Sequence, residues 1–280
     1  MQAQIDIAVR ADARAGRAPI WDAATATLLW VDGPAHLVHR FFPAHSTDHT
    51  MRVPQRVGAA EPRERGGLLL HLAGGIALFD SDEHRRTWLA YWARDGFRAA
   101  GTAVDGTGAV WAATEAADES GGGWLVRVAP DGRTSTVLRD LGAPGGIGWN
   151  PERTRMYLAD SVTRRVDVLD LDAAGLPASR RPLCDAGGEP AGLCVDAAGD
   201  LWVAIRDRGE LHRYAPDGQR RATIPLPATS PTGCCFGGPD LTDLYVTTAG
   251  DGAAEPAGAD GALLVLRNQT QGTRTTTFAG

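Results

Sequence analysis

The sequence predicts an all-β protein, a six-bladed β-propeller with four antiparallel strands in each blade. Three observations lead to this fold. An apolar residue followed by an aromatic residue recurs along the chain, at intervals of roughly 40 to 45 residues that are typical of propeller blades. Turn signals rich in Gly, Pro and Asp separate short apolar runs. The 3.6-residue periodicity of amphipathic helices is poor along most of the chain.

One anchor residue marks the second strand of each predicted blade. Most anchors are aromatic, and the second blade has leucine in this place, within "RGGLLLHLAGG". The first strand leads into the anchor through Val-Asp and a glycine turn, as in "VDGTGAVWAAT" (104–114) and "VDAAGDLWVAI" (195–205). The anchors are Trp30, Leu69, Trp111, Tyr157, Trp202 and Tyr245.

The second half of each unit predicts the third and fourth strands. "WLVRVAPDG" (124–132) matches "LHRYAPDG" (211–218), and residues 37–45 and 164–175 are looser copies. Pro-Asp-Gly is a strong turn signal, because Pro presets φ and Gly accepts positive φ. Each unit therefore contains four short strands.

The two termini are expected to close the ring. A strand within "QIDIAVRA" (4–11) should pair with strands of the C-terminal "ALLVLRN…TTTFAG", which leaves no open sheet edge. The stretch "SDEHRRTWLAYWARDG" (81–96) departs from the strand pattern and is expected to form a turn or two of helix. No linker interrupts the chain, so residues 1–280 are predicted to form a single domain. A pair of open β-sandwiches would not explain an evenly spaced repeat.

The composition excludes several classes of function. A net charge of −6 argues against nucleic acid as a partner. All 28 residues of the Lys/Arg class are arginine, so chemistry through a lysine Schiff base is excluded. No apolar run approaches the roughly 20 residues of a membrane span, and the N-terminus lacks the apolar core of a signal peptide. We expect a cytoplasmic monomer or homodimer that acts on a small molecule and has no membrane partner.

Chemistry in a propeller is expected at one mouth of the central channel. The innermost strand of each blade starts at this mouth, and the following antiparallel strand ends there. Residues at these two places are therefore candidates for a site. They include Arg17, Gly145, Ala191 and Thr232 before inner strands, and Asp32, His71, Glu115, Asp160 and Arg206 at the ends of the following strands.

Five stretches resemble the senescence-marker-protein, regucalcin and gluconolactonase family of six-bladed propellers, also called gluconolactonase/LRE-like. The most specific is 231–249, through "FGGPD" and "LYVT". The resemblance covers almost the whole chain and implies the same fold. It also implies a relationship to metal-dependent hydrolases of sugar lactones. The other stretches are residues 16–33, 54–80, 144–161 and 189–204.

The resemblance further implies that this chain lacks the family's metal ligands. In the family, a Glu of Gly-Glu-Gly-Pro, an Asn of Pro-Asn-Gly and an Asp of Pro-Asp-Gly hold the ion, and the Asp is the usual general base. The matching positions here are Arg17, Gly145 and Ala191, and an Asn-Asp-Gly segment matches residues 100–102. A hard divalent cation needs several oxygen ligands. No metal ion and no other cofactor are therefore expected.

The candidate catalytic residues are His71, Glu115 and Asp160. An imidazole can carry protons near neutral pH, and a partly desolvated carboxyl such as Glu115 can act as an acid or a base. Structural roles stay open for all three. His71 could be a hydrogen-bonded interior residue, Glu115 could lie in solvent on its loop, and Asp160 could cap a turn.

The candidate substrate-binding residues are Arg17, Arg98, Arg206, Asp32 and Thr232. Arg98 matches an arginine that the family uses to contact substrate, and Arg17 and Arg206 could steer anionic or carbonyl oxygens. Arg206 could instead pair with Asp207 or Glu210 at the surface. Asp32 lies in a "WVDG" stretch that is typical of the family.

These observations favour a metal-independent enzyme that acts on a small, fairly apolar organic substrate in the central channel. Its reaction would be an acid–base cyclisation, elimination, isomerisation or hydrolysis in bacterial specialised metabolism. One alternative is a lactone hydrolase that recruits its metal through non-standard ligands. A second alternative is a small-molecule-binding protein without catalytic activity, since a channel lined by glycine and alanine has room for a ligand.

Overall fold

The structure is a computed structural model that describes residues 4–80, 85–118, 120–251 and 258–280. Its regular secondary structure in these ranges consists of β-strands. In chain order they are β1 Ile5–Arg10, β2 Gly16–Asp22, β3 Thr27–Asp32, β4 Leu37–Phe42, β5 Thr47–Arg52, β6 Val57–Pro62, β7 Leu68–Leu72, β8 Gly75–Asp80, β9 Arg85–Tyr91, β10 Phe97–Val104, β11 Val110–Ala116, β12 Gly123–Val128, β13 Thr134–Leu141, β14 Pro144–Trp149, β15 Arg155–Asp160, β16 Arg165–Leu171, β17 Pro177–Asp185, β18 Pro190–Val195, β19 Leu201–Ile205, β20 Glu210–Tyr214, β21 Arg220–Pro225, β22 Pro231–Gly237, β23 Asp243–Thr248 and β24 Ala262–Leu266.

The strands form six four-stranded sheets, which are the blades of a propeller. Blades 1 to 5 are the consecutive groups β2–β5, β6–β9, β10–β13, β14–β17 and β18–β21, and blade 6 contains β22, β23, β24 and β1. Each inner strand packs against the inner strands of the two neighbouring blades, and β22 packs against β2 to complete the ring. All six predicted anchors are buried on the second strand of their blade. The predicted six-bladed propeller is therefore confirmed.

Blade 6 closes the ring as predicted at its N-terminal strand. Strand β1 pairs antiparallel with β24, with Ile5 opposite Leu266. The last residues of the chain do not join this sheet, contrary to the expectation for "TTTFAG". They run past the far end of the channel, and Phe278 forms a parallel bridge with Arg63 of blade 2. Blade 6 is already four-stranded with β1, so the tail pairs with other blades instead.

The expected helix within residues 81–96 is wrong where the structure describes it, and residues 81–84 lie outside the described residues. Residues 85–91 form the outer strand β9, paired with β8 from Asp80 opposite Arg85 to Gly75 opposite Tyr91. The exposed edge of β8 offers backbone hydrogen bonds that a short helix could not use, and tertiary pairing overrides weak local propensity. Within the described ranges there is no helix long and apolar enough to cross a membrane.

Two blades contain the same buried network around the anchor tryptophan. In blade 3, Asp105 accepts hydrogen bonds from the indole of Trp111 at 2.9 Å and from Arg127 at 2.8 Å. In blade 5, Asp196 accepts from the indole of Trp202 at 3.1 Å and from Arg213 at 3.0 Å. A buried carboxylate requires hydrogen-bond donors, and here the donors lie on the second and third strands. The Asp of the Val-Asp repeat therefore ties the turn after the first strand to both of these strands.

Candidate functional site

A cavity lies at the mouth of the central channel, where the inner strands begin. A ring of residues from all six inner strands lines it, and we call this ring the mouth layer. It consists of Arg17, Gly58, Gly101, Gly145, Ala191 and Thr232. The inner strands approach one another closely here. A Cβ atom at Gly145 would lie 2.5 Å from the carbonyl oxygen of Ala191, and one at Gly101 would lie 2.2 Å from that of Gly145.

Three of the predicted residues meet on one side of this cavity. Glu115 is 3% exposed and lies opposite Arg98 in the pairing of β10 with β11. Its Oε1 accepts a hydrogen bond from Arg98 Nε at 2.7 Å, and Arg17 Nη1 lies 3.4 Å from the same oxygen. Burial alone would raise the pKa of Glu115, but the charges and hydrogen bonds of Arg17 and Arg98 outweigh it and lower the pKa. Glu115 is therefore a carboxylate at neutral pH and not a proton donor.

A third arginine, Arg56, belongs to the same cluster and was missed in the sequence. Burial lowers the pKa of its half-buried guanidinium, and so do the charges of Arg98 and Arg17, with partial compensation by Glu115 and Asp32. No carboxylate of the described residues lies within ion-pair distance of Arg56. Arg56 thus adds a third guanidinium group near enough to Arg17, Arg98 and Glu115 for their charges to affect its pKa. The signal in the sequence was an arginine two positions before the mouth-layer residue Gly58.

Arg206 lines the cavity as well, on blade 5. Its Nε and Nη2 lie 3.1 Å and 2.8 Å from Oε2 of Glu189. The expected alternative partner Asp207 instead accepts a hydrogen bond from the backbone amide of Glu189 at 2.7 Å and pairs with Arg164. Arg206 is thus held at the cavity wall by Glu189, although about a third of its side chain remains exposed.

His71 does not fit the expectation that it carries protons near neutral pH. Its side chain is fully buried, and Trp92 packs edge-on against the ring with centroids 5.9 Å apart. Burial lowers the pKa of His71 to about 4, and the backbone of Ala100 only partly counteracts this. Within the described part of the chain, neither ring nitrogen makes a hydrogen bond of ordinary geometry. His71 is therefore a neutral interior residue.

The carboxylates of Asp160 and Asp32 are engaged by backbone amides, which favours the structural alternative over their predicted roles in catalysis and substrate binding. The buried carboxylate of Asp160 accepts hydrogen bonds from the amides of Gly142 at 2.8 Å and Ala143 at 3.0 Å, and further ones from residues 162 and 163. Asp32 binds the amides of residues 14 and 15 in the same way, at 2.9 Å and 3.2 Å. Each carboxylate ends the second strand of its blade and caps the loop that enters the first strand.

Thr232 lies in the mouth layer, but its hydroxyl group joins two blades. It is hydrogen-bonded to the carbonyl oxygen of Gly16 in blade 1 and to that of Thr247, the latter at 3.0 Å. A hydroxyl group has a single proton to donate, so these carbonyl oxygens already compete for it. Thr232 therefore contributes to ring closure as well as to the cavity wall.

The residues at the mouth do not fit the divalent cation that the family resemblance implies. The three matching positions carry a guanidinium group at Arg17, no side chain at Gly145 and a methyl group at Ala191. A hard cation requires oxygen ligands, usually with carboxylate charge. In the described ranges, no three His, Cys, Asp or Glu side chains are grouped so that they could hold a metal ion. We therefore derive no step through a metal ion at this position.

A second ring of residues lies deeper in the channel, two or three positions further along the inner strands. This deep layer lines a second cavity through Ile20, Ala103, Gly148, Cys194 and Cys235. Blade 2 contributes Glu61 at the corresponding position, since Glu61 lies opposite the anchor Leu69 just as Cys194 lies opposite Trp202. Burial raises the pKa of Glu61 to about 7, although a hydrogen bond from Thr102 lowers it in part. Glu61 was missed because a lone Glu in an apolar run gives no motif.

Comparisons with known proteins agree with this architecture. Residues 15–250 match the family described as the SMP-30/Gluconolactonase/LRE-like region. The chain is 31% identical to 6-deoxy-6-sulfogluconolactonase of Pseudomonas putida over the full length of both proteins. It is 31% identical to regucalcin of Xenopus laevis, with 90% of this chain and 89% of that protein covered.

Solved structures have the same fold. A calcium-binding regucalcin from Agrobacterium tumefaciens superposes with a TM-score of 0.94 at 24% identity, covering 99% of this chain and 98% of that one. A luciferin-regenerating enzyme superposes with a TM-score of 0.92 at 24% identity, covering 99% of this chain and all of that one. The matched family, the full-length relatives and the six blades lead to one assignment. This chain belongs to the SMP-30/gluconolactonase/LRE-like family of β-propellers.

Proposed function

We propose that the protein hydrolyses a small lactone that bears an anionic group, and that it does so without a metal ion at the channel mouth. The observation that supports this most is the pairing of Arg17 and Arg98 with the buried Glu115, with Arg56 near enough for its pKa to respond to the charges of all three. Arg98 holds Glu115 closely, Arg17 lies further from it, and Arg56 has no carboxylate at ion-pair distance among the described residues. Positive charge in excess at a partly buried site favours binding of an anion. The expected fairly apolar substrate is thereby revised towards a charged one.

Arginine can perform part of the work that the family assigns to a cation. Lactone hydrolysis develops negative charge on the carbonyl oxygen, and fixed donors aimed at that oxygen lower the barrier. The guanidinium group of Arg17 occupies the mouth-layer position of a family ligand. Glu115 holds this group in place through its ion pair at 3.4 Å. Glu115 acts as a positioning residue, because its own charge is engaged by Arg98 and Arg17.

The relatives support hydrolysis over the other reactions considered. The Pseudomonas putida relative is named for a sulfogluconolactone, a lactone whose sulfonate would suit a cluster of arginines. Bidentate and charge-assisted hydrogen bonds make arginine well suited to such oxyanions. Cyclisation, elimination or isomerisation in specialised metabolism would need the same anion site but a different substrate.

A lactonase assay tests this proposal directly. The protein, treated with a chelator and analysed for metal content, should hydrolyse 6-deoxy-6-sulfogluconolactone with a kcat/KM at least about tenfold above that for gluconolactone. Arg56→Gln should raise KM for the anionic lactone about tenfold or more, because a hydrogen bond to a charged group is lost. Arg133→Gln changes an arginine that is 85% exposed and should leave KM unchanged. Stoichiometric metal together with chelator-sensitive activity would overturn the metal-independent mechanism.

A second candidate function is binding of a small anion without catalysis. It is favoured by the absence of an uncommitted base among the predicted residues at the mouth, since Glu115 is paired with two arginines and Asp160 with four backbone amides. Calorimetric binding of the intact anionic lactone with no turnover would support this function instead.

A further inference from the structure

We infer that Glu61 and Thr102 form a proton relay from the channel mouth into the deep layer, and that this relay supplies the base for the proposed hydrolysis. The inference rests on the proposed function and adds a catalytic group that the mouth itself lacks. Glu61 stands at none of the positions that match the family's ligands, and Thr102 is the last residue of the segment that matches the family's Asn-Asp-Gly.

The repeat places Glu61 at the wall of the channel. In blades 3 to 6, the residue opposite the buried anchor is among those that line the deep cavity, as Gly148 does opposite Tyr157. Glu61 has this position in blade 2, opposite Leu69. Equivalent positions in a propeller face the same axis, and the carboxyl group of Glu61 is accordingly bonded to Thr102, which lines the channel.

Thr102 connects this carboxyl group to the substrate cavity. Thr102 lines both the mouth cavity and the deep cavity. Its hydroxyl group donates a hydrogen bond to Oε1 of Glu61 at 2.7 Å. Because the hydroxyl proton is used in this bond, the free lone pairs of the Thr102 oxygen can accept a proton from a water molecule in the mouth.

The other oxygen of Glu61 receives no hydrogen bond from the described residues. Glu61 is 2% exposed, and no described group forms a hydrogen bond with its Oε2. A buried polar atom without a partner is costly and calls for an explanation such as catalysis. One such explanation is a carboxyl group that alternates between its protonated and ionised forms. Permanent hydrogen-bond donors on both oxygens would hold it in the ionised form.

Every proton in the relay is accounted for from water to product. As the oxygen of water bonds to the lactone carbonyl carbon, one of its protons moves to Oγ1 of Thr102, and the proton of Thr102 moves to Oε1 of Glu61. The ring C–O bond then breaks. The reverse transfer delivers the proton to the departing ring oxygen, so the hydroxy acid forms and Glu61 returns to its carboxylate form.

The groups around Glu61 do not fix it in one protonation state. Burial raises the pKa of the Cys235 and Cys194 thiols well above the ordinary value, so both stay neutral. The cations of the deep cavity are Arg153 and Arg274, and neither forms an ion pair with Glu61 in the described residues. A pKa of about 7 then divides Glu61 between acid and base at neutral pH, which suits a general base.

Kinetics of matched variants test the relay. Glu61→Gln should lower kcat/KM for the anionic lactone about 100-fold or more, the range of general acid–base catalysis, and remove the inflection of the pH–rate profile near 7. Thr102→Val should behave like Glu61→Gln, whereas Thr102→Ser should keep most of the activity. KM should change little in all three. Thr223→Val, on the exposed outer strand β21, is the control and should match the wild type.

A spectroscopic titration gives a readout that does not depend on turnover. The infrared band of a protonated buried carboxyl group should disappear near pH 7 in the wild type and be absent in Glu61→Gln. In Thr102→Val it should persist to higher pH, because the lost hydrogen bond stabilised the ionised form. An active wild type with an unchanged Glu61→Gln profile would overturn the relay alone. Failure of the wild type to hydrolyse any lactone would overturn the proposed function, and the catalytic role of the relay with it.

Discussion

His71 illustrates how the position of one residue decides its chemistry. In the sequence it is a histidine at the end of a strand, and such a residue can carry protons near neutral pH. In the fold its ring is fully buried, and its strand neighbours across β6 and β8 are Ala59 and Ile76. The loss of hydration penalises the imidazolium form, so the residue remains neutral.

The buried neutral imidazole predicts a specific pH dependence of stability. The folded pKa is about 4, below the ordinary value of about 6.5. As the pH falls from about 6.5 to 4, the unfolded chain binds a proton that the folded chain does not bind, and the free energy of unfolding decreases. His71→Leu should remove this loss. Its free energy of unfolding, measured relative to wild type, should therefore rise by about 2 kcal/mol when the pH is lowered from 8 to 5.

Urea unfolding at the two pH values measures this difference. His45→Leu, at an exposed turn position, serves as the control and should retain the wild-type dependence. Glu61 acts in the opposite direction, since its raised pKa makes stability fall as the pH rises from about 4.5 to 7. The two effects oppose each other, so the free energy of unfolding of the wild type can change little with pH. The comparison of His71→Leu with the wild type isolates the contribution of His71. Equal pH dependence of wild type and His71→Leu would contradict the assigned burial.

The location of a single residue could be predicted from the sequence where the repeat assigns it to a known position in a blade. The repeat brings Arg17 and Glu115 to the same mouth although most of two blades separates them in the chain, and the structure joins them at 3.4 Å. The repeat could not tell which carboxylates are engaged by backbone amides, as at Asp160, because that depends on loop geometry. Arg56 and Glu61 were missed because their importance lies in burial and in missing partners, which a sequence does not display.

At the level of elements, the inner strands determine what the channel can hold. Their backbones approach so closely at the mouth that several mouth-layer positions have no room for a side chain. Gly145 is the clearest case, since a Cβ atom there would meet the carbonyl oxygen of Ala191. The close approach of β14 and β18 therefore leaves Gly145 without space for a side chain.

Gly145→Ala should destabilise the protein by about 1 to 3 kcal/mol, the usual cost of overpacking. A Cβ atom there would lie 2.5 Å from the Ala191 oxygen, so β14 and β18 would have to separate. Gly106→Ala is the matched control, since a Cβ atom at Gly106 meets nothing within 4 Å, and it should be neutral or slightly stabilising. Thermal unfolding of both variants gives the comparison. Similar stability of the two would show that the inner strands can separate freely.

The same elements explain why the fold was predictable and one segment was not. The anchors fix the register of the second strands, and all of them are buried as expected. Residues 85–91 lack this signal because β9 is an outer strand, exposed along much of its length. Its conformation is set by hydrogen bonds to β8, which come from the tertiary structure and leave little trace in hydrophobic periodicity.

At the scale of the whole molecule, the ring is held at two places. Strand β1 completes blade 6 through β24. The C-terminal tail then crosses the far end of the channel, where Thr276 accepts a hydrogen bond from Arg153 at 2.9 Å and residues 273–276 line the deep cavity. The tail therefore lies across the end of the channel opposite the arginine-rich mouth.

Phe278 attaches the C-terminal tail to the propeller. Its side chain is fully buried in the core that contains Leu69 and Val110. Its backbone donates to the carbonyl oxygen of Pro62 at 3.0 Å and accepts from the amide of Glu64 at 2.9 Å. Phe278→Ala should lower the free energy of unfolding by about 3 to 5 kcal/mol, through lost burial and the remaining cavity. This would be a large share of the roughly 5 to 15 kcal/mol that stabilises a typical domain.

The comparison with Phe42→Ala separates this effect from the loss of any aromatic ring. Phe42 lies half-buried on β4 and contacts His49, so its truncation should cost clearly less. Unfolding in urea, followed by tryptophan fluorescence, measures both variants. Hydrogen exchange should also increase in Phe278→Ala at the amides of Glu64 and Ala279, which bond within this junction. A cost no greater than that of Phe42→Ala would mean that the tail adds little stability and that β1 alone holds the ring together.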